Sequence, residues 1–232
     1  MSDPESAVGT RPQGRRRLER RMILEAGAAF IDEHGLRQLS MRQLGAQLGV
    51  EAMSLYRYVP SREDLLDGIV EVVLDELSDD PDVHLVPTDG WQDYLVRLAH
   101  GLRRIALAHP LVFPLVATRP PEAPWIRPPL RSLRWIDSFL AALKGSGFGD
   151  EAAVGAYRAF SSFLLGHLLL EVEAMGAEIS PVATSEPSSE TSTDLSEYPH
   201  VERLQEQLSE DRSAQEFEES LENLLERLAT LL

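Results

Sequence analysis

The chain contains no cysteine, which excludes disulfides and thiolate chemistry at once. Lysine is nearly absent: Lys144 stands alone among the basic residues, and the rest are arginines. That bias reads as coding composition rather than function. No apolar run reaches the ~18–20 residues of a membrane span. The longest, around 160–170, is interrupted by Ser161, Ser162, Gly166 and His167. A charged start followed by an apolar stretch and a cleavage site is also missing, so export is not expected. These absences leave a cytoplasmic protein with no membrane partner as the expectation. A Gly-rich phosphate loop and a G-x-S-x-G elbow are lacking too. The abundant carboxylates lie in solvated runs such as 202–222. Nothing supports an enzyme.

The charge that is present is unevenly placed. The chain carries −16 overall. Residues 1–62 hold ten Arg against seven Asp or Glu, +3, so residues 63–232 carry −19. Such segregation turns the basic end toward a polyanion and the acidic part away from it.

The stretch 40–62 reads as two short helices joined by a tight turn. Ser40 is an N-cap with Gln43 three residues on, a capping-box spacing, and Leu39 and Leu44 can staple the start. Gly49 ends the helix in the left-handed conformation that glycine adopts without steric cost. A second helix over 51–58 is anchored by Val50 and Leu55 and stopped by Val59-Pro60. Ser61, with Asp64 at the third position, caps the next. This spacing fits either a helical hairpin of a larger bundle or a DNA-reading helix-turn-helix.

The rest of the chain also reads as helices, with no strand and no internal repeat. Residues 1–14 are rich in Pro, Gly and Ser and are expected to be disordered. Arg15, Arg16, Arg17, Arg20 and Arg21 then form a basic cluster, read as a phosphate-contacting arm or as a solvated tail. A first helix is predicted over 18–34 and a fourth over 61–77, longer than a three-helix reader needs. A linker follows at 79–90. Later helices are predicted from Trp91 to before Pro110, over 111–117, from about Pro128 to Gly145, and over 151–175 capped by Asp150. A polar stretch at 178–197 is expected to be a mobile loop. A short helix follows Pro199. The last helix opens on a second capping box, Ser213 with Glu216, and carries an apolar stripe.

These residues resemble a known family. Gly35-Leu36, Leu39-Ser40-Met41-Arg42, Leu44-Gly45 with Leu48-Gly49-Val50, Leu55-Tyr56 with Tyr58-Val59, and Leu65-Leu66-Asp67 resemble the DNA-binding domain of the TetR (tetracycline-repressor) family. The resemblance spans about 15–77. More sparsely, Trp91-Gln92-Asp93-Tyr94, Thr118-Arg119-Pro120 and the run 166–173 resemble the tetracycline-repressor-like C-terminal domain.

The resemblance implies an all-α, two-domain, homodimeric regulator. A helix-turn-helix domain at 15–78, with its motif at about 40–59, would bind a double-stranded DNA operator. A domain at 91–232 would bind an unidentified small effector and dimerise. Contacts to DNA are expected from Arg15, Arg16, Arg17, Ser40, Met41, Arg42, Glu51, Ala52, Met53, Ser54, Tyr56, Tyr58 and Arg62. Arg42 is placed to reach a base edge, and Ala52 and Met53 to touch thymine methyls. Many family members have Lys where Arg62 stands; the charge is kept.

An effector site is expected from Leu77, Leu98, Leu102, Phe113, Leu115, Thr118, Arg119, Trp135, Phe139, Phe160, Phe163, Leu164 and His167. The aromatic residues in that set can equally be plain core. The dimer interface is expected from Tyr157, Leu168, Phe217, Leu221, Leu224 and Leu228. In tetracycline repressors a His near the Thr-Arg-Pro turn ligates drug-bound magnesium. Leu115 matches that position here, and Ser78 and Leu98 match other drug-contacting positions, so no metal and no cofactor is expected and the effector reads as largely apolar. His167 and Glu171, four residues apart, form a two-ligand face too small for a metal. The alternative from a different class is a ligand-binding or scaffolding helical dimer that has lost DNA.

Overall fold

The computed structural model describes residues 18–80, 82–83, 90–119, 123, 125–128, 133–179 and 194–232. The tail at 1–14, Arg15, Arg16 and Arg17, most of the 79–90 linker and most of the 178–197 loop therefore lie outside the described residues. The described residues hold ten α-helices and no strand.

The first, α1 (Arg20–His34), ends at Gly35, whose φ of 83° closes the helix. After a 3-10 turn at Leu36–Gln38 comes α2 (Met41–Gln47). Its cap is the expected one. The Ser40 hydroxyl accepts from the Gln43 N–H at 3.2 Å, and the Gln43 side-chain oxygen lies 2.7 Å from that hydroxyl. Leu39 and Leu44 are both buried, as a hydrophobic staple requires.

Two glycines then set the turn. Gly49 takes φ 67°, which an L side chain adopts at a cost of roughly 1–2 kcal/mol. At Gly45 a Cβ would lie 2.9 Å from the Val50 carbonyl oxygen and 3.2 Å from the Ala52 nitrogen. The missing side chain is what lets the chain fold back against α2. The next helix, α3 (Ala52–Leu55), is shorter than expected. Tyr58 and Val59 N–H both donate to the Leu55 carbonyl, and this closing turn occupies the positions that the sequence assigns to helix.

The long α4 (Arg62–Asp79) opens on Ser61, whose hydroxyl accepts from Asp64 N–H at 3.0 Å. One side of α4 packs on α1, through Leu65, Ile69 and their neighbours. It also packs on α5 (Trp91–Ala108) and α6 (Phe113–Thr118). The helical body is completed by α7 (Leu133–Gly145), α8 (Asp150–Ala174), α9 (Pro199–Ser209) and α10 (Ser213–Ala229). By length and composition α8 could cross a membrane. Here it packs against α5, α6, α7 and α10, with Ala156, Phe160, Leu164, Leu168 and Val172 buried.

Two caps differ from expectation. Gly149, not Asp150, precedes α8, and the Asp150 carboxylate is drawn to the Lys144 ammonium. At α10 the Ser213 hydroxyl donates to Asp211 at 2.8 Å instead of capping Glu216; the Asp211 carboxylate also takes the Ser213 N–H at 3.1 Å. In both cases a neighbouring charge outside the box competes for the capping group.

Gly45→Ala is expected to destabilise the protein by about 1–3 kcal/mol, because the added methyl meets backbone that has no rotamer to yield. The urea midpoint measures this; an unchanged midpoint would show that α2 and α3 can separate without loss.

Candidate functional site

The turn between α2 and α3 presents a polar, unpaired surface. Arg42, on the first turn of α2, is exposed, as are Arg57 and Arg62. Among the described residues none of these three makes a hydrogen bond or ion pair, whereas Arg20 reaches Glu71 and Arg21 reaches Glu25. Met53 is 71% exposed, an unusual outlay for a large apolar side chain unless something covers it. Glu51, Tyr56 and Arg57 are exposed around it, with Ala52, Ser54 and Tyr58 half-buried. Met41 departs from the expected DNA contacts. Its side chain is 8% exposed and belongs to the core, because the first position of α2 faces inward. Ser40 is half-buried with its hydroxyl engaged in the cap.

Behind this surface, α4 borders a cavity of about 60 Å³. Its walls are Leu74 and Leu77 of α4, Leu98 and Leu102 of α5, Trp135, Ile136 and Phe139 of α7, and Tyr157, Phe160, Ser161, Leu164 and Leu165 of α8. The lining is almost wholly apolar, the kind of void that stays dry. Ligand sites usually measure roughly 300–1,000 Å³, several times this volume. An open groove of about 440 Å³, lined in part by Trp125, Arg127, Leu133, Val154 and Arg158, shares Ile136 and Tyr157 with the cavity. Tyr157 is held in place by a 2.9 Å hydrogen bond from its hydroxyl to the Pro128 carbonyl.

Of the expected effector residues, Leu77, Leu98, Leu102, Trp135, Phe139, Phe160 and Leu164 line the cavity. Six do not. Phe113 and Leu115 are buried in the α6 packing. The Thr118 hydroxyl donates to the Pro114 carbonyl of its own helix at 2.6 Å. Arg119 turns toward α4, where its guanidinium binds Asp67 at 2.6 Å and both the carboxylate and the carbonyl of Glu63, at 2.6 and 3.2 Å. Phe163 stacks on Phe217, and His167 packs against the same ring at 5.3 Å. Ser161, Leu74 and Leu165 are wall residues that the sequence did not single out. Leu74 was legible, being three residues before Leu77 on one helix face.

The expected dimer residues are mostly consumed within the subunit. Tyr157 lines the cavity, and Leu168, Phe217, Leu221 and Leu228 are buried, because α10 lays its apolar face on α8 and α5; Leu224 remains half-buried. The Phe217 ring is further covered by the Arg103 guanidinium, 5.2 Å from its centroid. Arg103 makes a two-pronged pair with the buried carboxylate of Glu171, its Nε at 3.1 Å. Glu171 is thereby committed to an arginine, and His167 stands 4.0 Å away. Among the described residues no group of three metal-ligating side chains converges.

Polar clasps join α1 and α4 to the helical body. Besides Arg119, Arg104 of α5 holds Asp80, and Arg37 binds Glu178 at 2.8 Å. His109, between α5 and α6, meets Asp32 of α1 and Glu76 of α4.

Comparison with known proteins agrees with this geometry. Residues 23–69 match the family model for bacterial regulatory proteins of the tetR family. Residues 85–232 match that for the tetracycline repressor-like C-terminal domain. An HTH-type transcriptional regulator of Saccharopolyspora erythraea is 33% identical over 168 residues, 72% of this chain and 65% of that protein. The class A tetracycline repressor from transposon 1721 of Escherichia coli is 29% identical over 157 residues, 67% of this chain and 68% of that protein. The chain spans about half to two thirds of the length of the first curated regulators it matches, between 49% and 65%. A crystal structure of a possible TetR family regulator from Streptomyces coelicolor A3(2) superposes with a TM-score of 0.72 at 27% identity, covering 92% of this chain and 100% of that one. Both matched domains, with the helix-turn-helix geometry, identify the chain as a member of the tetR family of bacterial regulatory proteins.

Proposed function

We propose that the chain is a homodimeric repressor that binds a palindromic operator through α2 and α3 and is released by a small, largely apolar ligand. In this reading residues 15–78 form the DNA-binding domain, 79–90 the linker, and 91–232 the effector and dimerisation domain. One observation carries it. The same helix, α4, packs its first half on the DNA-facing unit and lends Leu74 and Leu77 to the apolar cavity. A ligand larger than this cavity displaces its walls, and Leu74 and Leu77 of α4 are among them. A two-fold dimer reads half-sites at a fixed separation of about 34 Å or its multiples, so a shift of both readers breaks the match without altering either surface.

Arg42 is the base-reading residue in this scheme, because arginine pairs bidentately with guanine. Arg57, Arg62 and Tyr56 hold phosphates, and Met53 covers a thymine methyl. The experiment is a titration of a palindromic duplex by fluorescence anisotropy at several salt concentrations. Arg42→Ala is expected to weaken specific binding by about 1–3 kcal/mol and leave random duplex nearly unaffected. Equal weakening on both duplexes would make Arg42 a phosphate contact, and no binding by the parent protein would refute the DNA reading.

The second copy is proposed to dock along α8. With the expected residues buried, the face left to it is Gly155, Ala159, Ser162 and Gly166, exposed at helical spacing, with Leu170 beyond at 64% exposure. A Cβ at Gly155 or Gly166 would touch nothing within 4 Å in the subunit. Small side chains let two helix axes come close. Gly166→Arg replaces the glycine with a better helix former, so the subunit should stay folded. Sedimentation velocity is expected to find it monomeric with unchanged helicity; a persisting dimer would place the interface elsewhere.

A further inference from the structure

His109 occupies a corner that belongs to both halves of the molecule. Its N–H donates to the Ile105 carbonyl and ends α5, and its own carbonyl accepts from Val112 at 3.1 Å and Phe113 at 2.9 Å, starting α6. The side chain leaves that corner and enters the DNA-facing unit. Nδ1 lies 2.6 Å from an Asp32 carboxylate oxygen on α1, and Nε2 lies 3.2 Å from a Glu76 carboxylate oxygen on α4. The ring is 22% exposed.

The geometry dictates a charge state. A neutral imidazole carries one N–H and one acceptor nitrogen. With a carboxylate at each nitrogen, either tautomer turns a lone pair on an anion. The imidazolium alone donates to both. Asp32 adds an independent sign: its other oxygen, Oδ1, is buried with no hydrogen-bond partner. A half-buried carboxylate with one oxygen so poorly served favours a counter-charge at the other. The charges acting on the ring are those of Asp32 and Glu76, and α6 has no titratable side chain.

We propose that His109 is a proton-operated clasp: protonated, it fastens α1 and α4 to the α5–α6 corner in the operator-binding arrangement, and deprotonated, it lets them swing. The functional half of this statement rests on the DNA-binding reading; the clasp itself does not. The Asp32 hydrogen bond, opposed by burial and reinforced by both carboxylate charges, holds the His109 pKa above its ordinary 6.5. A group whose folded pKa is raised contributes stability that is complete below the unfolded value. That contribution is lost as pH rises through the folded value. The clasp therefore opens on the alkaline side of 6.5, and operator affinity falls with it. An arginine side chain stays protonated at any such pH, so of the clasps on α4 the one made by histidine is pH-dependent.

The test uses the full chain and a His109→Gln variant across about pH 6 to pH 9, the range over which histidine can report. Melting temperature is read first. The parent should exceed the variant at the acid end, and the difference should shrink as pH rises; a difference that is constant or absent overturns the clasp. If His109→Gln fails to fold, Glu76→Gln serves instead, and NMR of the histidine rings should show the His109 midpoint falling. An unmoved midpoint refutes the clasp equally. Operator affinity is read second. The parent should lose several-fold more affinity than His109→Gln over the range. Equal losses in a pair whose melting temperatures converge would sever the clasp from DNA release. If neither protein binds any duplex, the DNA reading fails while the melting data still decide the clasp.

Discussion

The helix α4 needs cations that it does not itself supply. Its exposed edge carries Glu63, Asp67 and Glu76, and Asp80 follows at its end. Arg119, Arg104 and His109 answer these from the helical body. The α2–α3 surface keeps Arg42, Arg57 and Arg62 exposed, while part of the acidic charge of α4 is met from behind. Removing the body would leave an acidic helix directly behind the exposed arginines of the α2–α3 surface.

Magnitudes explain why such an attachment can switch. Partly exposed ion pairs contribute about 0–1 kcal/mol each. Glu63 is 68% exposed where Arg119 meets it, so that pair lies toward the weak end. Allosteric coupling is typically about 1–3 kcal/mol, comparable to a few such clasps. By contrast, the Arg103–Glu171 pair is two-pronged and its carboxylate is buried, so it holds more firmly than the exposed pairs. It ties α5 to α8, with the Phe217 ring of α10 under the same guanidinium. The cavity fits this division, since its walls come from α4 as well as from α5 and α8.

Local signals were legible in the sequence, and distant pairings were not. Ser40, Gly49, Ser61 and the leucine spacing announce the two-helix reader, because caps and turns are satisfied within a few residues. Gly45 reveals its purpose when the Val50 carbonyl is seen against it. The Arg119–Asp67 and Arg103–Glu171 pairs link residues far apart in the chain and leave no periodic mark. Apolar periodicity is also ambiguous about destination. It placed Phe217, Leu221 and Leu228 on a buried stripe, but a stripe covered by α8 of the same subunit looks the same as one covered by a second copy. Met41 shows the same limit at the start of α2, where one residue of helical phase separates a core position from an exposed one. Asp150 and Ser213 fit cap spacings, yet nearby Lys144 and Asp211 claimed their side chains.

If these clasps on α4 set the reader geometry, the most direct measurement is the operator affinity of Arg119→Gln against that of the parent protein over a range of salt. Arg119 is 14% exposed and turned onto α4, away from the α2–α3 surface. The account predicts a weaker specific affinity with an unchanged salt slope, because no phosphate contact is lost. Unchanged affinity, or a slope reduced by about one as for a lost phosphate contact, would contradict it.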